Sequence, residues 1–200
     1  MNDFIYLASQ SPRRRQLLEQ LGVHHRLLLP DADEDAEAIE AVLANEAPAP
    51  YVKRVAALKL EAAVRRRQRR GLPIAPILCA DTTVACGRTI YGKPLDGADA
   101  QRMLGELSGK THRVLTAVSI GTASRQVHVL SESRVTFAAL NRLQILAYVA
   151  SGEPLGKAGA YAVQGRAAAF IARISGSYSG IMGLPVFETA QMLRSLGFKF

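Results

Sequence analysis

Phe4-Ile5-Tyr6-Leu7-Ala8-Ser9-Gln10-Ser11-Pro12-Arg13-Arg14 opens the chain with an apolar run that passes directly into a helix start. Phe4–Ala8 reads as a short buried strand. Ser11 suits the N-cap of the helix that follows, and Pro12 its first position, where a missing N–H costs nothing. Leu17, Leu18 and Leu21 supply an apolar face, and Gly22 falls just past the helix end. A strand that runs straight into a helix belongs to an α/β chain. The turn between them also aims backbone N–H groups, two hydroxyls (Ser9, Ser11) and two guanidiniums (Arg13, Arg14) at one place. That is the make-up of an anion site at a helix N-terminus, or else of a plain cap with surface arginines.

The pattern continues outward. An acidic, then Ala/Pro-rich stretch over 31–50 reads as a mobile loop. A long helix is expected from Pro50 to Arg70, with Pro73 and Pro76 beyond it. Ile77–Cys86 reads as a buried strand carrying a polar Asp81-Thr82-Thr83, and Gly87–Asp96 as a turn or hairpin. Ala98–Leu107 and Asn141–Ser151 read as helices, the second capped by Asn141. Arg113–Ile120, Val127–Phe137, Ala160–Val163 and Ala168–Ile174 read as strands. Ser175–Gly183 reads as a polar turn, and Pro185 as the start of a last helix. Interleaved helices and adjacent strands predict a mixed α/β sheet in a single domain spanning 1–200.

Length and composition narrow the function classes. A chain of 200 residues with 48% hydrophobic and 21% charged residues buries roughly 70% of its unfolded surface without a metal or disulfide staple. Two cysteines, Cys79 and Cys86, fit no zinc or C-x-x-C spacing and read as reduced thiols. No histidine sits in an H-E-x-x-H pattern. The N-terminus lacks a basic leader, and no apolar run approaches the ~20 residues of a membrane span, so a cytoplasmic location is expected. The net charge is +8. Seven acids fall between residues 31 and 46 with no Lys or Arg, leaving 25 basic against 10 acidic residues elsewhere. Such a field favours phosphorylated partners. The run Arg65-Arg66-Arg67-Gln68-Arg69-Arg70 is either a solvated helix end or an anionic-partner patch. With no Trp and 6% aromatics, stacking platforms for single strands are few.

Four further features bear chemistry. Asp81 lies in a buried run, where a carboxylate must be paired, metal-bound or catalytic, or cap a turn. Lys59 interrupts the apolar helix stripe Val52, Val55, Ala56, Ala63. Its ammonium either snorkels to water or enters a cleft that holds negative charge. Gly87-Arg-Thr-Ile-Tyr-Gly92-Lys93-Pro94 imitates a phosphate loop, but Pro94 replaces the metal-holding hydroxyl residue and no helix follows, leaving Lys93 at most a point charge for phosphate. The acids between Asp31 and Glu40 are either magnesium ligands or a solvated loop. Together these parts suit a protein that binds or hydrolyses a phosphorylated metabolite.

The ordered blocks resemble the Maf family of nucleoside triphosphate pyrophosphatases. They are Leu7–Arg14, Asp33-Glu34, Lys59, Ala80-Asp81-Thr82, Gly92-Lys93-Pro94, Leu107-Ser108-Gly109 with His112, Lys157–Tyr161 with Gln164-Gly165, and Gly176-Ser177-Tyr178 with Gly183-Leu184-Pro185. The resemblance implies an α/β fold of two lobes around a long, twisted mixed sheet, related to inosine triphosphate pyrophosphatases (Maf/Ham1), with a central nucleotide cleft. It implies hydrolysis of a nucleoside triphosphate to monophosphate and pyrophosphate with Mg²⁺ or Mn²⁺. By position, Asp81 matches the proton acceptor and a metal ligand, Glu34 the metal-binding acid, and Lys59 and Lys93 the essential lysines. Ser9, Ser11, Arg13, Arg14, Lys157, Thr82 and Gln164 are the expected substrate-binding residues. Arg13, Thr82 and Gln164 match the branch that cleaves dTTP and UTP. The amide of Gln164 can pair with the O4/N3 edge of a pyrimidine. Gly156 departs from the Asp common in the family, which implies lower activity or metal affinity. A homodimer is the family expectation, with no membrane and no specific nucleic-acid partner. The alternatives are a pyrophosphatase for 7-methyl-GTP or non-standard purine triphosphates, and a non-catalytic nucleotide- or nucleic-acid-binding protein.

Overall fold

A computed structural model describes residues 4–31, 34 and 38–200; Asp33, Asp35 and Glu37 of the acidic segment lie outside the described residues. The opening strand β1 (Ile5–Leu7) feeds helix α1 (Pro12–Gln20), with Pro12 at its first position and Gly22 in the left-handed region after it. Strand β2 (His25–Leu27) follows, then helix α2 (Pro48–Arg69) and strand β3 (Ile77–Cys86). A short β4 (Thr89–Tyr91) folds back on β3. Helix α3 (Gly97–Leu107) begins where the Asp96 carboxylate accepts the Asp99 amide at 2.8 Å. Strands β5 (Thr111–Gly121) and β6 (Gln126–Phe137) form a long antiparallel hairpin. Helix α4 (Arg142–Ala150) carries a capping box of Asn141 and Gln144, which satisfies two otherwise orphaned N–H groups. Strand β7 (Ile171–Ser175), the short helix α5 (Tyr178–Met182) and helix α6 (Val186–Ser195) complete the chain.

The sheet runs β2-β1-β3-β5-β6-β7, with β4 on the β1 side of β3. Strands β2, β1 and β3 are parallel, and the other pairings are antiparallel. The predicted mixed sheet is therefore observed. Its interior strands β3 and β5 are buried on both faces, as their near-continuous apolar runs require. Period-2 alternation divides the core. Ile77 and Cys79 pack toward α2 with Leu60 and Ala63, whereas Leu78 and Ala80 pack toward α1 and α6 with Leu17, Leu18 and Leu193. A third cluster joins α3 and α4 to the far ends of β3, β5 and β6 through Leu104, Leu107, Val114, Val135 and Tyr148.

One irregularity makes the site. Along its β1 edge, β3 pairs with β1 at Ile77 and Leu78 and with β4 at Val84, Ala85 and Cys86. Between these pairings, residues 79–83 have no strand partner on that edge among the described residues. There the chain after β1 turns away into α1, and the sheet opens into a cleft of about 700 Å³.

Several expectations are corrected. Ala160–Val163 and Ala168–Ile174 do not form two strands. Ala158–Ala160 and Arg166–Phe170 are tight helical turns, and only Ile171–Ser175 joins the sheet. Gly159 (φ 68) and Ala160 (φ 59) both take left-handed backbone, which no strand accommodates. The polar turn at 175–183 contains α5, whose start is capped by the Ser177 hydroxyl accepting the Gly180 amide at 3.0 Å. The 31–50 stretch includes a helical turn at Ala38–Glu40, and α2 begins at Pro48 rather than Pro50.

The arginine run is not a plain solvated helix end. Arg66 is 4% exposed. Its guanidinium donates to both Glu34 oxygens at 2.9 and 2.6 Å and to the Leu28 carbonyl at 2.9 Å. Arg69 reaches Glu34 at 2.6 Å, and Arg70 pairs with Asp31. These bonds hold the Glu34 carboxyl down at about 2, against an ordinary 4.5. A lowered carboxyl pKa adds stability that is complete above about pH 4.5 and is lost as pH falls toward 2. Arg66→Met is expected to lower stability by about 3 kcal/mol, the range for removing one partner of a buried pair. It should also flatten the acid limb of the stability profile in urea titrations between pH 2 and 5. A second comparison concerns glycine. A Cβ on Gly159 would sit 2.8 Å from Val84, whereas Gly156, also at positive φ, has nothing within 4 Å. Gly156→Ala should therefore cost only the left-handed backbone penalty, about 1 kcal/mol. Gly159→Ala should cost at least twice that in the same titration.

Candidate active site

Period 2 along β3 sends neighbouring side chains in opposite directions. Asp81 follows Ile77 and Cys79 to the α2 face, and Thr82 follows Leu78 and Ala80 to the α1 face. Both border the cleft because the sheet is open beside them.

On the α2 face, the Lys59 ammonium lies 2.7 Å from Asp81 Oδ1 and 2.7 Å from Glu40 Oε1. The Lys93 ammonium reaches the other Glu40 oxygen at 3.1 Å. Lys59 thus enters the cleft rather than reaching out to bulk water. An ammonium on an apolar stripe is tolerated because two carboxylates meet it. Lys59 and Lys93 together hold the Glu40 carboxyl below its ordinary range, against the upward push of burial. Glu40 is itself positioned from α2. The Tyr51 hydroxyl donates to the Glu40 carbonyl at 2.9 Å, and Arg54 ties down the Ala41 carbonyl at 2.8 Å and Glu46 at 2.7 Å.

On the α1 face, Arg14 donates through Nε to the Gly183 carbonyl at 2.8 Å, and through its terminal nitrogens to Ser9 Oγ and Thr82 Oγ1, each at 3.2 Å. All three acceptors are neutral. Burial of this cation lowers its pKa, although the charge of Asp81 opposes the shift. Of the five guanidinium N–H groups, two remain for an incoming anion. Arg13 donates to the Met182 carbonyl at 3.3 Å. Ser9 Oγ also accepts the Ser11 amide at 3.2 Å, which shapes the turn; Ser11 itself makes no side-chain cap. Lys157 also lines the cleft, and its pKa is lowered by burial and by the charge of Arg13. The residues expected from the sequence to bind substrate, hold metal or act in catalysis all border this one cleft: Ser9, Ser11, Arg13, Arg14, Glu34, Lys59, Asp81, Thr82, Lys93, Lys157 and Gln164.

Glu34 stands apart in its bonding. Both its oxygens are taken by arginines, and the acid beside Asp81 is Glu40. Sequence reasoning placed Glu40 only within an acidic segment. Its spacing from Lys59 crosses a loop, so no periodicity points to the pair. Tyr51 and Arg54 were equally silent, as ordinary members of an amphipathic helix. His112, named in the ordered blocks, is buried and bonds the Tyr161 hydroxyl at 2.8 Å. Burial lowers its pKa to about 4, so it is a neutral support for the wall residue Tyr161.

The sequence profile described as Maf-like protein matches residues 4–196. A protein of Albidiferax ferrireducens named dTTP/UTP pyrophosphatase is 74% identical over 199 residues, covering 100% of both chains. One of Polaromonas sp. with the same name is 65% identical over 197 residues, covering 98% of each. Among solved structures, the Ham1 protein of Staphylococcus aureus covers 97% of this chain and 99% of its own at 12% identity, with a TM-score of 0.49. That distance is too great to bear on the site. A profile match along almost the entire chain, with relatives this similar at full length, makes the chain a member of the Maf family.

Proposed function

We propose that this protein is a nucleoside triphosphate pyrophosphatase acting on dTTP and UTP, as its relatives are named. One observation carries the mechanism: the Asp81 carboxylate stands 2.7 Å from the Lys59 ammonium in a cleft that Arg13, Arg14, Lys93 and Lys157 also line. Lys59 bonds Oδ1, and among the described residues nothing bonds Oδ2. Oδ2 is therefore the atom positioned to take a proton from an attacking water. Lys59, Lys93 and Arg14 offset triphosphate charge and align the chain of phosphates for in-line attack, with pyrophosphate leaving. Most of the rate enhancement is then electrostatic and positional.

The residues also fit a divalent cation. Mg²⁺ and Mn²⁺ need only one or two carboxylates when phosphates and waters supply the remaining oxygens. Among the described residues no group of three His, Cys, Asp or Glu side chains could hold a metal. Asp81 and Glu40, meeting at one ammonium, are the carboxylates that would hold it. Glu34 borders the same cleft but would have to give up its arginines to take part. When bound, such an ion polarises the phosphoryl oxygens and offsets the charge that develops on them. Among the described residues no helix is long and apolar enough to cross a membrane.

Purified protein with Mg²⁺ or Mn²⁺ is expected to release pyrophosphate from dTTP and UTP faster than from ATP, GTP or 7-methyl-GTP. A panel of nucleotides with a pyrophosphate assay measures this, and preference for 7-methyl-GTP would overturn it. Asp81→Asn should remain folded by circular dichroism and lose about 10²–10⁴-fold in kcat. Turnover equal to the parent protein would remove Asp81 from the mechanism.

A further inference from the structure

Thr116 is 1% exposed and lies directly opposite Thr82 in the β3–β5 register. Its Oγ1 is 2.7 Å from the Gly180 carbonyl of α5 and 2.9 Å from Thr82 Oγ1. A carbonyl oxygen can only accept, so a contact this short requires the single Thr116 proton to lie on it. Toward Thr82, Thr116 is then an acceptor, and Thr82 must donate its own proton to Thr116. The Arg14 terminal nitrogen donates into Thr82 Oγ1 at 3.2 Å. What remains on Thr82 for the cleft is one lone pair.

A threonine hydroxyl is ordinarily ambivalent; this one is not. Any substrate group that meets it must be a donor. Triphosphate oxygens at neutral pH accept only, so they are not its partner. The donors that uridine and thymidine nucleotides share are the base N3–H and the 3′-hydroxyl. Cytosine presents a bare acceptor at N3.

We propose that Thr116 is a positioning residue that locks the Thr82 hydroxyl as a hydrogen-bond acceptor toward the cleft, and that this polarity selects pyrimidines carrying a proton at N3. The inference rests on the pyrimidine triphosphate assignment above and deepens it. Specificity then arises partly from a residue that never touches substrate. In this reading the N3–H acceptor is Thr82 and not the Gln164 amide, and its direction is set one strand away.

The test compares kcat/KM for UTP and CTP in the parent protein, Thr116→Val, Thr116→Ser and Thr82→Val. Valine preserves shape, and the Gly180 carbonyl keeps the Gly183 amide at 3.0 Å, so its loss of one partner is tolerable. In Thr116→Val the Thr82 proton is free to turn to cytosine. The UTP over CTP preference should fall about tenfold, the scale of one hydrogen bond. The change should appear mainly in KM, with Thr116→Ser restoring the parent ratio. Adding Thr116→Val to Thr82→Val should change the ratio no further. N3-methyluridine triphosphate should be a poor substrate of the parent protein, and 3′-deoxyuridine triphosphate a good one. A parent-like UTP/CTP ratio in folded Thr116→Val overturns the lock, and so does loss of turnover with the 3′-deoxy compound alone. No pyrophosphate from UTP in the parent protein overturns the pyrophosphatase assignment itself, and this inference with it.

Discussion

The Lys59 ammonium, held 2.7 Å from both Asp81 and Glu40, is the contact on which the cleft depends. A carboxylate in a buried strand and a lysine on an apolar helix face are each costly alone. Placed against one another they compensate, and the compensation fixes the distance between α2 and β3 at the open stretch of the sheet. Glu40 adds a second anion and recruits Lys93 from beyond β4. Four separate stretches of chain are thereby linked through the Lys59 ammonium and the Glu40 carboxylate. The cost of burying these charges is met locally, so the surrounding apolar clusters need not strain to hold them.

Across the sheet the balance is different. Arg14 lies half-buried among neutral oxygens of Ser9, Thr82 and Gly183 and meets no carboxylate within ion-pair distance among the described residues. The protein thus keeps a matched set of charges on one face of β3 and an unmatched cation on the other. A half-buried cation without a carboxylate partner stabilises an incoming anion more than it stabilises the fold. The strongest positive cluster in the chain, around Arg66–Arg70, is by contrast occupied by Glu34 and Asp31. Positive potential is thereby withdrawn from the helix end and left in the cleft. That distribution suits a small polyanion better than a nucleic-acid backbone.

Much of this was legible in the residues. The strand–turn–helix at 4–14, the polar break in a buried strand at Asp81 and the lysine on an apolar stripe each violate a local rule, and violations of local rules mark sites. The cleft brings all of them together. What was not legible has a common physical cause. β2 is three residues long and mostly exposed, so it lacks both length and alternation. The Ala- and Gly-rich stretch 158–170 is apolar enough for a strand, but its course is decided by left-handed backbone at Gly159 and Ala160 and by the fit of Gly159 against Val84. Glu40, Arg66 and Glu34 owe their roles to partners 19 to 53 residues away, and no window along the chain spans those pairs. Element type follows local pattern; ion-pair partners follow topology.

The bonds from Arg13 and Arg14 to the Met182 and Gly183 carbonyls join residues 169 positions apart in a chain of 200. Helix α1 is thus oriented by the end of α5. While the chain is being made, α1 leaves the ribosome long before its acceptors exist, whereas the β5–β6 hairpin has both its strands within a short span and closes early. A nascent chain ending before residue 182 lacks the carbonyls that aim both guanidiniums. The cleft is therefore finished only once residues 182 and 183 have been made, and shorter translation products cannot assemble its anion-binding wall.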